Sequence, residues 1–385
     1  MSRRYLGGWI QDGLFNPLAA PGAPTYTYEL WSWGNNFVGG LGLGTSGAGT
    51  YKSSPNQVGA LTTWSTISNG GWHGTSIKTD GTLWSWGGNS SGQLGLGNTT
   101  DYSSPKQVGA LTDWLIISAG GYANLAVKTD GTLWSWGVNT NGQLGLGNTL
   151  SYSSPKQVGA LTTWSKVSKG RQNHSAAVRT DGTLWTWGRN SYGQLGIGVT
   201  TYRSSPAQVG ALTNWLNVSC GFYHTIAIKT DGTLWSWGRC NVGQLGNGSS
   251  GPAAYRSSPN QVGGATTWLN VTAAYNHNLA VQTNGTLWVW GAGASGGLGT
   301  GAITNELAPI QVGTLTTWSK ITGGLNTSLA LKTDGTLWSW GLNDFGQLGL
   351  GNTTNYSSPK QVGPLTTWSS AAGGQYRAKT IALKY

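Results

Sequence analysis

A chain of 385 residues with only 9% charged side chains, 22 Lys and Arg against 11 Asp and Glu, carries a net charge of +11 and excludes an acid-rich catalytic landscape. Its surface has to be built from Ser, Thr, Asn, Gln and Gly, while 23 Trp, 15 Tyr and 4 Phe supply enough apolar area for a buried core. No window of roughly 18 apolar residues is present, so membrane insertion is not expected.

Residues 1–25 come first and repeat nowhere else. Ser2-Arg3-Arg4-Tyr5-Leu6 has the look of a twin-arginine export start, but Gly7, Gly8, Gln11 and Asp12 interrupt the apolar stretch that a signal peptide needs. Tyr5, Leu6, Trp9, Ile10, Phe15 and Leu18 are apolar residues with no repeat slot to fill. Together with Arg3 and Arg4 they are expected to form an attachment arm, because an exposed apolar cluster marks an interface.

From residue 26 onward the chain repeats itself. Trp-x-Trp-Gly begins at Trp31, Trp84, Trp134, Trp185, Trp235, Trp288 and Trp338, at intervals of 53, 50, 51, 50, 53 and 50 residues. A period near 50 fits propeller blades of four strands each. Every unit runs through a Thr-x-Trp strand, a Gly-Gly turn, an apolar alternating strand, Thr-Asp-Gly, Thr-Leu-Trp-x-Trp-Gly, Gly-Gln-Leu-Gly and Ser-Ser-Pro-x-Gln-Val-Gly, with local departures. Asp-Gly at Asp80, Asp130, Asp181, Asp231 and Asp334, and Asn284-Gly285, mark hairpins, since Gly accepts the positive φ of a tight turn.

Both ends fall inside a unit. Tyr26 to Trp31 starts at a third strand, whereas Trp368 to Tyr385 supplies first and second strands. The expected fold is an all-β, seven-bladed propeller over residues 26–385, with one blade shared between the termini and no sheet edge exposed.

Few residues are available for chemistry. Five acids belong to the hairpins, and Asp12, Glu29, Asp101, Asp113, Glu306 and Asp344 show no spacing for acid and base work. His73, His174, His224 and His277 occupy one repeat position and are expected to bond neighbouring backbone rather than a metal. Cys220 and Cys240 have no ligand cluster nearby and are expected as free thiols in packing slots. Of the tryptophans, all but Trp9 and Trp72 fill three periodic slots and are assigned to packing. Neither a metal nor a cofactor is expected, and the scattered Lys and Arg offer nucleic acid at most a sequence-blind attraction.

In an up-and-down blade the Asp-Gly turns share a face with the Val-Gly-Ala-Leu-Thr connections. The Gly-Gly turns share the other face with the long Gly-Gln-Leu-Gly loops. The three-residue insertions before Pro55 and Pro259 fall on this second face, as does the extra residue in 169–173. The residue before the His slot also varies there: Trp72, Tyr122, Asn173, Tyr223, Asn276 and Asn326 are the expected contacts for a protein or glycan ligand.

Gly-x-x-His before an apolar strand, Asp-Gly, Trp-x-Trp-Gly and Gly-Gln-Leu-Gly resemble the repeat of the regulator of chromosome condensation family. That resemblance implies a seven-bladed propeller and, for members like the founding nuclear protein, guanine-nucleotide exchange through a protruding hairpin and acidic contacts. No insertion here is long enough to be that hairpin. The arm, in Arg3–Ile10 and Phe15-Asn16-Pro17-Leu18, resembles leader segments of structural proteins of bacterial viruses. The expected function is a non-enzymatic virion surface or fibre component, joined to other structural proteins through its arm and therefore located in the virion. The alternatives are a cytoplasmic interaction scaffold or exchange factor of the chromosome-condensation type, and a multivalent lectin.

Overall fold

The computed structural model describes residues 27–171, 173–374 and 378–385, which form 28 strands, β1 to β28 in chain order. Residues 1–25, and with them the arm residues Arg3, Arg4, Tyr5, Leu6, Trp9, Ile10, Phe15 and Leu18, lie outside the described residues.

Two consecutive hairpins make one blade. In blade one, β3 (Trp64–Asn69), β4 (His73–Lys78), β5 (Leu83–Gly87) and β6 (Tyr102–Gln107) pair antiparallel in that order. The middle turn is a three-residue loop. Lys78 N–H donates to the Thr82 carbonyl at 3.0 Å and Gly81 N–H to the Lys78 carbonyl at 3.0 Å, with Gly81 at φ +76°. A Cβ at Gly81 would strike the Thr112 carbonyl of the adjoining connection, so glycine is required for space as well as for φ. Asp80 completes the turn by accepting the Thr82 N–H and hydroxyl at 2.9 and 2.6 Å, and Thr82 Oγ1 accepts from Trp84 Nε1 at 2.9 Å. Asp-Gly-Thr-x-Trp is therefore one local hydrogen-bonded unit, which is why it recurs.

The three tryptophan slots converge inside each blade. Trp64 meets Trp84 and Trp86 edge-on at 6.1 and 6.3 Å, and the Lys78 ammonium sits 3.7 Å from the Trp84 ring centre. The second Trp of each Trp-x-Trp-Gly is fully buried and reaches the preceding blade. Trp136, Trp187, Trp237, Trp290 and Trp340 donate Nε1–H to the carbonyls of Gln93, Gln143, Gln194, Gln244 and Gly297, at 3.0–3.2 Å. Trp33 to Gln347 and Trp86 to Gly40 close the ring, at 2.9 and 3.1 Å. Each blade boundary thus combines a buried indole with a satisfied polar atom.

The first strand of each blade is innermost and alternates. Ile67, Ile117, Val218, Val271 and Ile321 enter the cores between blades, whereas Ser68, Ser118, Ser168, Ser219, Thr272 and Thr322 line a narrow axial cavity of about 40 Å³. The seventh blade is composite. β1 (Glu29–Gly34) and β2 (Lys52–Gln57) join β27 (Trp368–Gly373) and β28 (Lys379–Lys384) in the order β2-β1-β28-β27. The pairing runs unbroken from Glu29↔Lys384 to Gly34↔Lys379. The two faces are divided as the topology requires, with hairpins and short connections on one and Gly-Gly turns with long loops on the other.

Candidate interaction face

The loop-rich face is built over a fixed layer. His73, His174 and His224 lie against the first glycine of their turns, so that a Cβ on Gly70, Gly170 or Gly221 would collide with the imidazole. The partner across the blade boundary is a side chain, not the backbone atom expected from sequence. His73 and His224 Nε2 bond Asn124 and Asn278 Oδ1 at 2.8 and 2.7 Å, His174 bonds Thr225 Oγ1 at 3.2 Å, and His277 bonds Ser328 Oγ at 3.0 Å. These four partners donate their own hydrogens to the carbonyls of Gln93, Gln244, Gln194 and Gly297. Their oxygens are left as acceptors, which assigns the proton to Nε2.

Burial pushes His73 and His224 down to about 4 and His174 and His277 to about 3, so all four are neutral at pH 7. The histidines sit in separate blade boundaries, a packing role. Blade two has Ala123 in this slot, and the Lys169 side chain lies against Gly120 in place of an imidazole, its Nζ donating to the His174 carbonyl at 3.1 Å. Blade seven has Lys379 there. Burial lowers Lys169 and Lys379 to about 7.

The thiols are also packing groups. Burial pushes Cys220 up to about 12 and raises Cys240, and both are free. Cys240 stands where other blades place a loop-bracing Asn, such as Asn89 or Asn343, and packs instead with Leu245, Ala254 and Tyr255 of the second insertion.

Above this layer lie the six variable residues, all partly exposed. Their backbone carbonyls do the same work throughout: those of Trp72, Tyr122, Asn173, Tyr223, Asn276 and Asn326 accept the N–H of Gly88, Val138, Arg189, Arg239, Ala292 and Leu342. Their side chains diverge. Trp72 Nε1 donates to the Tyr122 hydroxyl at 2.7 Å, and Asn173 Oδ1 accepts from Gln143 Nε2 at 3.1 Å. Asn326 takes up a left-handed φ of 51°. Tyr223 joins a larger group spanning blades three to five.

That group contains residues absent from the expected list. Tyr223 packs on Tyr192 and Phe222 at 4.9 and 4.3 Å, Tyr192 on Tyr255 at 5.5 Å, and Phe222 stacks on Tyr275 at 3.9 Å. The Arg189 and Arg239 guanidiniums stand 5.1 and 5.5 Å from the Tyr223 ring centre, and Arg239 is also 5.4 Å from that of Tyr192. Arg171, carried by the lengthened turn, crosses the axial opening, its Nη2 donating to the Gly323 carbonyl of blade six. The available signal was one of repeat phase. Arg follows Trp-x-Trp-Gly only at Arg189 and Arg239, and Tyr192 falls in a slot held elsewhere by Val38, Ser91, Asn141, Val242, Ser295 and Phe345.

Comparison with known proteins fits this geometry. The model of the Regulator of chromosome condensation (RCC1) repeat matches residues 80–127, 130–178, 181–228, 231–281, 284–331 and 334–377, and a second model of the same description matches 116–143, 164–194, 215–244 and 318–347. Each longer match runs from the outer half of one blade into the inner half of the next, the offset that makes the closing blade composite. The chain is similar to Prp20p of Saccharomyces cerevisiae, whose structure is described with its binding properties to Gsp1p and histones (19% identity, TM-score 0.83, 94% of this chain and 92% of that one). It is similar to human WBSCR16 (22% identity, TM-score 0.82, 93% and 98%) and to a chain in the complex of Kap60 with yeast RCC1 (Prp20) (18% identity, TM-score 0.84, 100% and 94%). At these identities the solved structures speak for the fold.

Proposed function

The chain belongs to the regulator of chromosome condensation family, and we propose that it is a non-enzymatic protein-interaction scaffold that presents partners with its loop-rich face. One observation carries this reading: the packing residues recur from blade to blade while the side chains before the His slot differ and gather, at Tyr223, into a surface group of aromatic and arginine residues. Neutral, separated histidines and hydrogen-bonded hairpin aspartates supply neither a nucleophile nor an acid and base pair. Scaffolding inside the cell has the support of relatives such as Prp20p, described with Gsp1p and histones. The virion reading draws no support from these relatives and rests on arm residues outside the described chain.

The test is capture of partners from source cells by the intact chain and by a Trp72→Ala, Tyr122→Ala, Tyr223→Ala variant of matched melting temperature. The variant is expected to lose partners, since truncating a buried interface aromatic costs about 2 kcal/mol or more. Full retention refutes use of this face. No stimulation of nucleotide release from a small GTPase is expected at micromolar protein, and clear stimulation would establish exchange activity instead.

A further inference from the structure

The described arginines are sorted by face. Arg171, Arg189, Arg203, Arg239 and Arg256 all stand at loop-face turns or at the loop-face ends of strands in blades three and four, and Arg179 alone stands by a hairpin. The lysines over the tryptophans, Lys78, Lys128, Lys229, Lys332 and Lys384, end strands at the opposite face. Ion pairs join Lys128 to Asp113, Arg179 to Asp181 and Lys384 to Glu29, and among the described residues none includes Arg189, Arg203, Arg239 or Arg256. The aspartates of blades three and four, Asp181 and Asp231, are held in their hairpins by Thr183 and Thr233.

We propose that the arginine and tyrosine group of blades three to five, centred on Arg189, Tyr223 and Arg239, is a docking site for an acidic segment of a partner protein. The inference rests on the scaffold reading above and gives the partner its chemistry. Arginine differs from lysine in offering a planar fork that meets a carboxylate through two parallel hydrogen bonds, and stacking on a ring holds that fork in place before the ligand arrives. Two guanidiniums flank the single ring of Tyr223. Arg189 Nε is braced by Ser191 Oγ at 3.1 Å, and Arg256 Nη1 by the carbonyls of Ala253 and Tyr255 at 3.2 and 2.9 Å, which fixes both forks on their loops. All three guanidiniums belong to partly exposed residues. Tyr255 caps the short helix Pro252–Ala254 of the lengthened loop and packs on Tyr192, which extends the site sideways.

A single-stranded nucleic acid fits less well. Binding of that kind stacks bases on open aromatic faces. Here Tyr192 and Tyr223 are covered by one another, by Phe222 or Tyr255, and by guanidinium groups.

The experiment measures binding of a fluorescent glutamate-rich peptide to the full chain at low salt, beside a single-stranded oligonucleotide of equal charge. Two variants of equal net charge are compared: Arg189→Gln with Arg239→Gln, and Lys106→Gln with Lys156→Gln on the outer strands. The expected result is tenfold or greater loss of peptide affinity in the arginine variant, little change in the lysine variant, and weaker binding of the oligonucleotide. No peptide binding, equal loss in both variants, or tighter binding of the oligonucleotide would each overturn the proposal. Retained partner capture by the arginine variant would discard the acidic partner while sparing the scaffold reading, and loss of capture in a Trp72→Ala, Tyr122→Ala variant that keeps Tyr223 would place the interface elsewhere on the face.

Discussion

Replacing Ile381 by Ala tests how the ring closes, because β28 is the strand that joins the two ends of the chain. Ile381 is fully buried and packs with Leu30, Val58, Trp64, Ile67, Trp86 and Leu383, a cluster that draws on both termini and on blade one. Removing its branched chain from a site with rigid indole neighbours costs the lost transfer energy plus a cavity, about 2–5 kcal/mol. The closing blade also carries the Lys384–Glu29 ion pair at 3.1 Å, whose side chains are 21% and 28% exposed. Screening by solvent leaves such a pair about 1 kcal/mol or less. Apolar burial therefore dominates closure: in urea titrations with an unchanged slope, Ile381→Ala should lower stability by at least twice the effect of Lys384→Gln. Ile228→Ala in blade four, equally buried but within continuous chain, should cost about the same as Ile381→Ala. An Ile381→Ala cost under about 1 kcal/mol, or a larger one for Lys384→Gln, would show that the terminal strands do not form this sheet.

Gly81→Ala should be among the most damaging turn substitutions, because left-handed φ alone costs about 1–2 kcal/mol and the Thr112 carbonyl blocks the added carbon; Gly59→Ala, at φ +64° in open space, should incur the φ cost alone, and equal melting temperatures would refute the packing argument. Melting temperature should fall as pH drops from about 6.5 towards 4, since the unfolded chain protonates its histidines near 6.5 while the buried ones resist until about 3 to 4; a flat profile across that window would mean that the histidines are solvated. Lys169→Met should raise the melting temperature at pH 7 and weaken its rise between pH 7 and 10. Folded Lys169 titrates near 7 while the unfolded chain holds its proton to about 10.4, so a loss of stability at pH 7 would assign the ammonium a structural role greater than its burial cost.

Much of this architecture was legible because its determinants are local. Asp80, Gly81, Thr82 and Trp84 form one hydrogen-bonded unit within five residues, and period-two alternation assigns Ile67 and Ser68 to opposite sides of a strand. Repetition then supplied the count of blades, and the phase of the two ends supplied the composite blade that β1 and β28 form. The histidine partner was not legible, since His73 and Asn124 belong to adjacent repeats and meet only across a blade boundary.

Composition, period and phase by themselves determined an all-β ring of seven four-stranded blades, its two unequal faces and its structural use of tryptophan. Only the tertiary structure decided which loop residues become neighbours. Arg189 and Tyr223 come from different blades, and so do Trp72 and Tyr122. Their contacts depend on the angle between blades, which the packing of whole sheets and ring closure impose. That angle is a property of the assembled ring rather than of any single repeat, so the fold could be read along the chain while the arginine and tyrosine group could not.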